Sequence, residues 1–191
     1  MRILGIVCSP RKEGNTELMV RAALEVAQDA GAETDIFLVS EKSVSPCDAC
    51  ASCEKTGICW IKDDMQELYE KFGWADGIIF GTPVYFNNVT AQAKAILDRT
   101  YVYRMDRKLS GKVAGAIIVT RRVGAGQVRN LLYSYFVRQG TIVVGAAIGY
   151  ANRRGEIRQG VGGSPANLPA LEEARNLATT VVRMVERLSR A

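Results

Sequence analysis

Apolar residues along this chain gather in short unbroken runs separated by helical-period stripes. The runs are Ile3-Leu4-Gly5-Ile6-Val7-Cys8, Ile36-Phe37-Leu38-Val39, Gly77-Ile78-Ile79-Phe80-Gly81, Val113-Ala114-Gly115-Ala116-Ile117-Ile118-Val119 and Ile142-Val143-Val144. Continuous rather than alternating apolar character marks strands buried on both faces, as in a parallel sheet. Strands are therefore expected over 2–8, 33–40, 75–81, 112–120 and 141–148. Between them lie stripes of helical spacing: Leu18, Ala22 and Val26 with Met19 and Ala23 beside them, then Met65, Leu68, Tyr69 and Phe72, then Ala93, Ile96 and Leu97. Gly31 is a suitable stop for the first helix. A helix is expected over 127–139, and a last one over 166–190 with Leu171, Ala174, Ala178, Val181, Val185 and Leu188 on one stripe. Residues 101–111 read as a polar surface excursion, 153–156 as a turn and 160–165 as a connector. Alternating strands and helices predict an α/β sandwich. Right-handed crossovers place the loops after strands one, three and four at one sheet edge, and the loop after strand two is expected to join them there.

The chain has 191 residues, enough for one domain spanning 1–191 with a real core. Its 48% hydrophobic and 24% charged residues are ordinary for a globular protein. The net charge of +5 is mild, with a local excess from Arg121 to Arg158. No basic stripe or reading motif points to nucleic acid, so this is a solvated basic face or a docking surface for an acidic redox partner. No apolar run approaches a membrane span, and Ile3–Cys8 is too short for a signal segment, so no membrane contact and a cytoplasmic location are expected. Histidine is absent altogether. That excludes Ser-His-Asp and Cys-His nucleophiles, histidine metal sites and imidazole proton shuttles. Any redox or proton chemistry must come from a cofactor or from other side chains.

Cysteine is concentrated where histidine is missing. Four of the five cysteines, Cys47, Cys50, Cys53 and Cys59, fall in the spacing C-x2-C-x2-C-x5-C within a loop over 43–62. Thiolates at every third position can curl around one centre, and a short arm carrying Gly57 can close it. A cuboidal iron–sulfur cluster takes one thiolate per iron and suits this spacing. Structural zinc usually shows two knuckles separated by a longer arm. Disulfides suit small secreted chains. All three remain readings of the motif, with the cluster favoured by the compact spacing.

Three further loops carry candidate chemistry. Ser9, Arg11, Gly14, Asn15 and Thr16 precede or open a helix and offer hydroxyl, amide, guanidinium and backbone N–H donors. They form either a phosphate site or an ordinary helix cap. Neither G-x-x-x-x-G-K-[ST] nor G-x-G-x-x-G is present. Thr82, Pro83, Val84, Tyr85, Phe86 and Asn87 follow strand three, at the edge where open sheets bind ligands. Their aromatics either support a flat heteroaromatic ring or pack into the core. Thr120, Arg121, Gly124 and Gly126 belong to a glycine-containing loop after strand four.

Taken together, Gly5–Thr16, Gly81–Asn87 and the four-cysteine motif make the sequence resemble the iron–sulfur flavoproteins, a branch of the flavodoxin-like NADPH-dependent FMN reductases. The resemblance covers most of the chain. It implies a flavodoxin-like fold: a five-stranded parallel sheet in the order 2-1-3-4-5, helices on both faces, and a cysteine-rich cluster loop after strand two. It implies that Ser9, Arg11, Asn15 and Thr16 hold the FMN phosphate, that Pro83 to Asn87 line the isoalloxazine, and that the loop from Thr120 to Gly126 closes the other side. Cys8 stands where the family often has glycine, and the 121–126 loop is a loose version of the family's third loop. The family forms dimers and tetramers, which implies a homodimer or homotetramer with one subunit's cluster near a neighbour's flavin.

The expected function is that of an FMN-dependent oxidoreductase or electron carrier with FMN and one [4Fe–4S] cluster per subunit. Cys47, Cys50, Cys53 and Cys59 would ligate iron, and no side chain need act as a catalytic group. The donor would be a ferredoxin or NAD(P)H; the acceptor a quinone, an oxygen species or another carrier. A plain NAD(P)H-dependent FMN or quinone reductase with zinc-bound or structural cysteines is the rival reading. A flavin-free redox or metal-sensing module is a third.

Overall fold

The computed structural model describes residues 1–159 and 170–190. The connector expected at 160–165 and the first residues of the expected last helix, 166–169, lie outside them.

Each apolar run forms a strand: β1 (Arg2–Val7), β2 (Glu33–Leu38), β3 (Gly77–Pro83), β4 (Val113–Thr120) and β5 (Ile142–Tyr150). All neighbours pair in parallel in the order β2-β1-β3-β4-β5. Strand β3 runs two residues further than the apolar pattern suggested. Pro83 has no N–H to donate, yet it keeps register opposite Val119, and Val84 N then donates to Val119 O at 2.8 Å. A proline is tolerated there because it closes the strand.

Among the described residues, six α-helices connect and cover the strands: α1 (Asn15–Asp29), α2 (Ser52–Thr56), α3 (Met65–Trp74), α4 (Ala91–Arg99), α5 (Ala125–Arg138) and α6 (Ala170–Ser189). On one face, α1 and α6 bury Met19, Val20, Leu177 and Val181 against Ile3, Val7 and Ile117. On the other, α3, α4 and α5 bury Leu68, Ile96 and Leu132 against Ile6, Phe80 and Ile118. Leu188, placed on the buried stripe by its spacing, lies near the helix end and is 43% exposed. The expected surface excursion at 101–111 is partly core. A 3-10 turn over Thr100–Arg104 buries Val102 and Tyr103, and Leu109 is buried as well. The Tyr103 ring meets Tyr69 and Phe72 edge-on at 5.7 and 6.2 Å between centroids. Tyr101 points outward.

Helix α1 reaches the sheet because β1 and β3 carry glycine beneath it. A Cβ at Gly81 would lie 2.6 Å from Val20 Cγ2 and 3.3 Å from the Ile6 carbonyl oxygen, and one at Gly5 would lie 2.8 Å from Leu24 Cδ1. This close approach brings the N-terminus of α1 to the carboxyl end of β1. Thr90 does the same for α4: its hydroxyl donates to Cys8 O at 2.7 Å and caps α4 by accepting from Ala93 N at 3.1 Å. Two helix starts are thus anchored to the end of one strand.

Gly81→Ala is expected to lower unfolding free energy by about 1–3 kcal/mol through overpacking. Gly73→Ala, on a helix where the added Cβ would meet only Lys108 Cε at 3.9 Å, is expected to raise it by about 0.5–1 kcal/mol. Urea titration of both variants with matched slopes reads the two effects.

Candidate cofactor sites

The three loops after β1, β3 and β4 meet around a cavity of about 230 Å³. Ser9, Arg11, Gly14, Asn15, Thr16, Pro83, Val84, Tyr85, Thr120 and Arg121 line it, so ten residues expected at the site share one space. Gly14 caps α1 with no side-chain hydrogen bond, which leaves the first helical N–H groups open to an anion. Ser9 Oγ accepts from Arg11 N at 3.2 Å and shapes the loop. Glu17, buried in the first turn, accepts from Glu13 N at 2.7 Å and pairs with Arg21 at 2.8 Å. Its carboxylate therefore holds the loop's return and is partnered rather than facing the cavity.

Five expected residues do not line this cavity. The Thr82 side chain is buried, its hydroxyl donating to Pro83 O at 3.0 Å. Phe86 and Asn87 form the tip of a tight turn, both at positive φ (49° and 61°), closed by hydrogen bonds between Tyr85 and Asn88 in both directions. The Phe86 side chain is wholly exposed. Gly124, at φ 93°, lies where a Cβ would be 2.7 Å from Val84 Cγ1 and Asn87 Oδ1, so it presses the third loop onto the second. Gly126 sits in the first turn of α5, clear of other groups.

Sequence reasoning missed the fourth wall. Ala151, Asn152, Arg153 and Arg154 follow β5 and line the cavity with Val119. Asn15 Nδ2 donates to Arg153 O at 2.8 Å, Arg121 Nε donates to Asn152 Oδ1 at 3.2 Å, and Arg154 reaches Lys12 O. The signal was two adjacent arginines after a strand at the ligand-binding edge. They were read as a turn.

The cysteine loop makes a separate cavity. Cys47, Cys50, Cys53 and Cys59 all open onto a space of about 390 Å³ with Asp48, Trp60, Arg99 and Tyr101. It shares no lining residue with the first cavity. The expectation that the cluster loop joins the flavin edge is therefore corrected: it folds back over the end of α4. Between the cysteines, Ala49 and Ala51 hold φ of 57° and 56°. Each left-handed alanine costs roughly 1 kcal/mol, and together they curl the chain around the cavity. Asp48 joins the two arms, accepting from Cys50 N at 3.2 Å and Trp60 Nε1 at 2.9 Å. Burial pushes the Cys53 thiol up, and the nearness of Cys59, Cys47 and Cys50 pushes it further. Among the described residues, no three cysteine or carboxylate side chains are drawn together tightly enough for a single metal ion. Cys8, buried at the end of β1, takes no part.

Arg99 holds this loop in place. Its side chain is fully buried, and Nη1 and Nη2 donate to Asp63 Oδ2 and Oδ1 at 2.9 and 3.1 Å. The same two nitrogens donate to Ser45 O at 2.9 Å and Ile61 O at 3.3 Å, one on each leg of the loop. Asp63 also accepts from Ser45 N and Met65 N, and Asp64 accepts from Ser43 N. Burial alone would raise the Asp63 carboxyl, but the guanidinium and the two N–H groups hold it below its usual range. Arg99 Nε is buried without a hydrogen-bond partner, on a residue that lines this cavity.

The profile of the NADPH-dependent FMN reductase family matches residues 1–153. An iron–sulfur flavoprotein of Methanocaldococcus jannaschii is 38% identical, aligned over 97% of this chain and 98% of its own. One of Methanosarcina thermophila is 43% identical over 76% of this chain and 78% of its own. The chain belongs to the iron–sulfur flavoprotein family. It is accordingly an FMN-dependent oxidoreductase on a flavodoxin-like fold. Among solved structures, RosB superposes with a TM-score of 0.77 at 20% identity, covering 100% of this chain and 81% of that one. A WrbA-like protein from Agrobacterium tumefaciens superposes at 0.66 and 19% identity, covering 97% of each chain. Both show the shared fold. No helix among the described residues is long and apolar enough to cross a membrane.

In this flavoprotein, Gly124→Ala is expected to weaken FMN binding about tenfold, or about 1.4 kcal/mol, because it strains the backbone and pushes the third loop off the second. Fluorescence titration of flavin-free protein measures it. Asp63→Ala leaves the Arg99 charge buried and is expected to cost about 3–5 kcal/mol of stability. The folded Asp63 carboxyl lies below its unfolded value, so this contribution is complete above roughly pH 4, the ordinary carboxylate value, and is lost as pH falls through the folded one. The stability gap between wild type and Asp63→Ala should be flat near neutrality and close on the acid side, read by urea titration across pH.

Proposed function

We propose that this flavoprotein carries one [4Fe–4S] cluster on Cys47, Cys50, Cys53 and Cys59 and moves electrons between a one-electron donor or NAD(P)H and an acceptor such as a quinone, an oxygen species or another carrier. The observation that carries this reading is the cysteine cavity: four thiols open onto a space much wider than a single ion's coordination sphere. Zinc would draw four sulfurs to about 2.3 Å from one point, whereas a cuboidal cluster takes one thiolate per iron at its corners.

When bound, FMN supplies two-electron and the cluster one-electron chemistry. The protein's part is binding and orientation. Ser9, Arg11, Gly14, Asn15 and Thr16 would take the phosphate at the start of α1, with the Asn15 amide tied to Arg153 and the backbone N–H groups free for the anion. Arg153 and Arg154 add positive charge across the cavity. Pro83, Val84 and Tyr85 would flank the ring, with Thr82, Phe86 and Asn87 holding that loop's shape. Thr120 and Arg121 would close the far side, with Gly124 and Gly126 shaping the loop. No side chain is assigned as a catalytic acid, base or nucleophile.

The chain is read as one flavodoxin-like domain, 1–191, with the cluster loop, 43–62, as an insertion. Its two cavities stand apart, which supports assembly as a homodimer or homotetramer, where one subunit's cysteine loop can approach another's flavin cavity. A ferredoxin is the proposed one-electron donor, and a cytoplasmic, reducing location suits unpaired thiols.

Anaerobically purified protein is expected to hold one FMN with about four iron and four sulfide per chain, and light scattering is expected to give a mass of two or four chains. Cys53→Ser should lose most of the iron and sulfide while keeping FMN. Zinc in place of iron, with no acid-labile sulfide, would instead establish the plain reductase.

A further inference from the structure

The 3-10 turn Thr100–Arg104 and the end of α5 enclose another concavity, of about 290 Å³. Its charged lining is Arg104, Arg107 and Arg138, and no carboxylate is part of it. Tyr101 lines both this pocket and the cysteine cavity, so the two adjoin there. The Tyr101 hydroxyl donates to Glu54 Oε1 at 2.5 Å, next to Cys53, and Arg104 Nη1 donates to the same carboxylate at 3.2 Å. The cysteine loop is thereby tied to the pocket's edge.

The three arginines do not share one explanation. Arg138 stands in the last turn of α5, where a cation is favoured by the helix dipole. Arg107 has no such reason. It holds φ of 48°, donating its N–H to Tyr103 O at 2.9 Å and accepting from Ser110 N at 2.8 Å. Glycine or asparagine would close that turn with less strain. An arginine there spends backbone strain to keep a guanidinium at the pocket. Tyr101, in the lining, is 41% exposed, and Met105 and Val137, the chain neighbours of Arg104 and Arg138, are 72% and 68% exposed. Apolar groups beside a charged concavity suit a small, transient docking face.

We propose that this pocket is the docking face for a small acidic electron-transfer protein that reduces the cluster held by the cysteine loop. The electron step rests on the cluster reading above. One electron leaves the partner's reduced centre and enters the cluster; the partner is oxidised by one, the cluster is reduced by one, and no bond or proton is transferred. Charge selects the partner: the chain carries +5 overall, and the pocket adds Arg107 and Arg138 to the Arg104–Glu54 pair beside the cysteine cavity. A two-fold contact between copies centred here would set arginine against arginine.

The test uses the anaerobic holoprotein and its Arg107→Glu/Arg138→Glu variant, titrated calorimetrically with an acidic bacterial-type ferredoxin at low and high salt. Wild-type affinity is expected to fall steeply with salt, and the variant to bind at least about tenfold more weakly. Reduction by dithionite should be the same in both, showing that the variant folds and keeps its cluster, while reduction by prereduced ferredoxin slows in the variant. No binding by the wild type at low salt, or equal affinity in the two proteins, overturns the docking face. Missing iron and sulfide would overturn the cluster reading and the electron step, while the calorimetry still decides the docking face.

Discussion

A buried guanidinium facing one carboxylate fixes where the cysteine chemistry can occur. Arg99 is the last residue of α4, and Asp63 stands just before α3. Through them two helices packed on the same sheet face hold both legs of a long polar loop. A buried pair of this kind adds little net stability, because desolvation offsets the attraction, but removing either partner is severe. Its use here is positional. A loop with two left-handed alanines and few buried residues has no core of its own, so its shape is imposed at its base. The arrangement extends outward: the Tyr69 hydroxyl donates to Arg99 O, and Tyr69 packs on Tyr103. The end of α4, the 3-10 turn and the cysteine cavity thus form one packed unit.

The cavity at the sheet edge is built on another logic. There the sheet edge supplies the positions, and glycine controls distance. Gly81 and Gly5 let α1 settle low, Thr90 pins α4 to Cys8 O, and Gly124 presses one loop against another. Its cationic residues, Arg11, Arg121, Arg153 and Arg154, come from three different loops around one helix start. An anion there meets a field assembled by topology rather than by any contiguous motif.

This contrast explains what could be read from the chain. Continuous apolar runs disclosed all five strands, because burial on both faces leaves little room for polar residues. Ser9 to Thr16 and Pro83 to Tyr85 were legible because loops at the carboxyl ends of parallel strands share one edge. Arg153 and Arg154 were not, since an Arg-Arg-Gly turn looks the same in solvent as at a site. Arg99 gave no local sign either. It ends an amphipathic helix, where a basic residue is expected, and its partner is thirty-six positions away. The placement of the cysteine loop depends on long-range partners such as that pair, so following the loop from the end of β2 alone led to the sheet edge rather than to its separate cavity.

The separation of the two cavities also has a thermodynamic meaning. Sites with no shared lining residue have little means to perturb one another, and changes at such sites usually combine additively. Within one chain, occupancy of the one cavity and of the other are therefore close to independent variables. Strong coupling between them would then have to come from the proposed assembly, where a neighbour's loop would meet this chain's sheet edge. In the proposed oligomer, assembly would do more than add stability: it would turn two independent binding equilibria into one linked system.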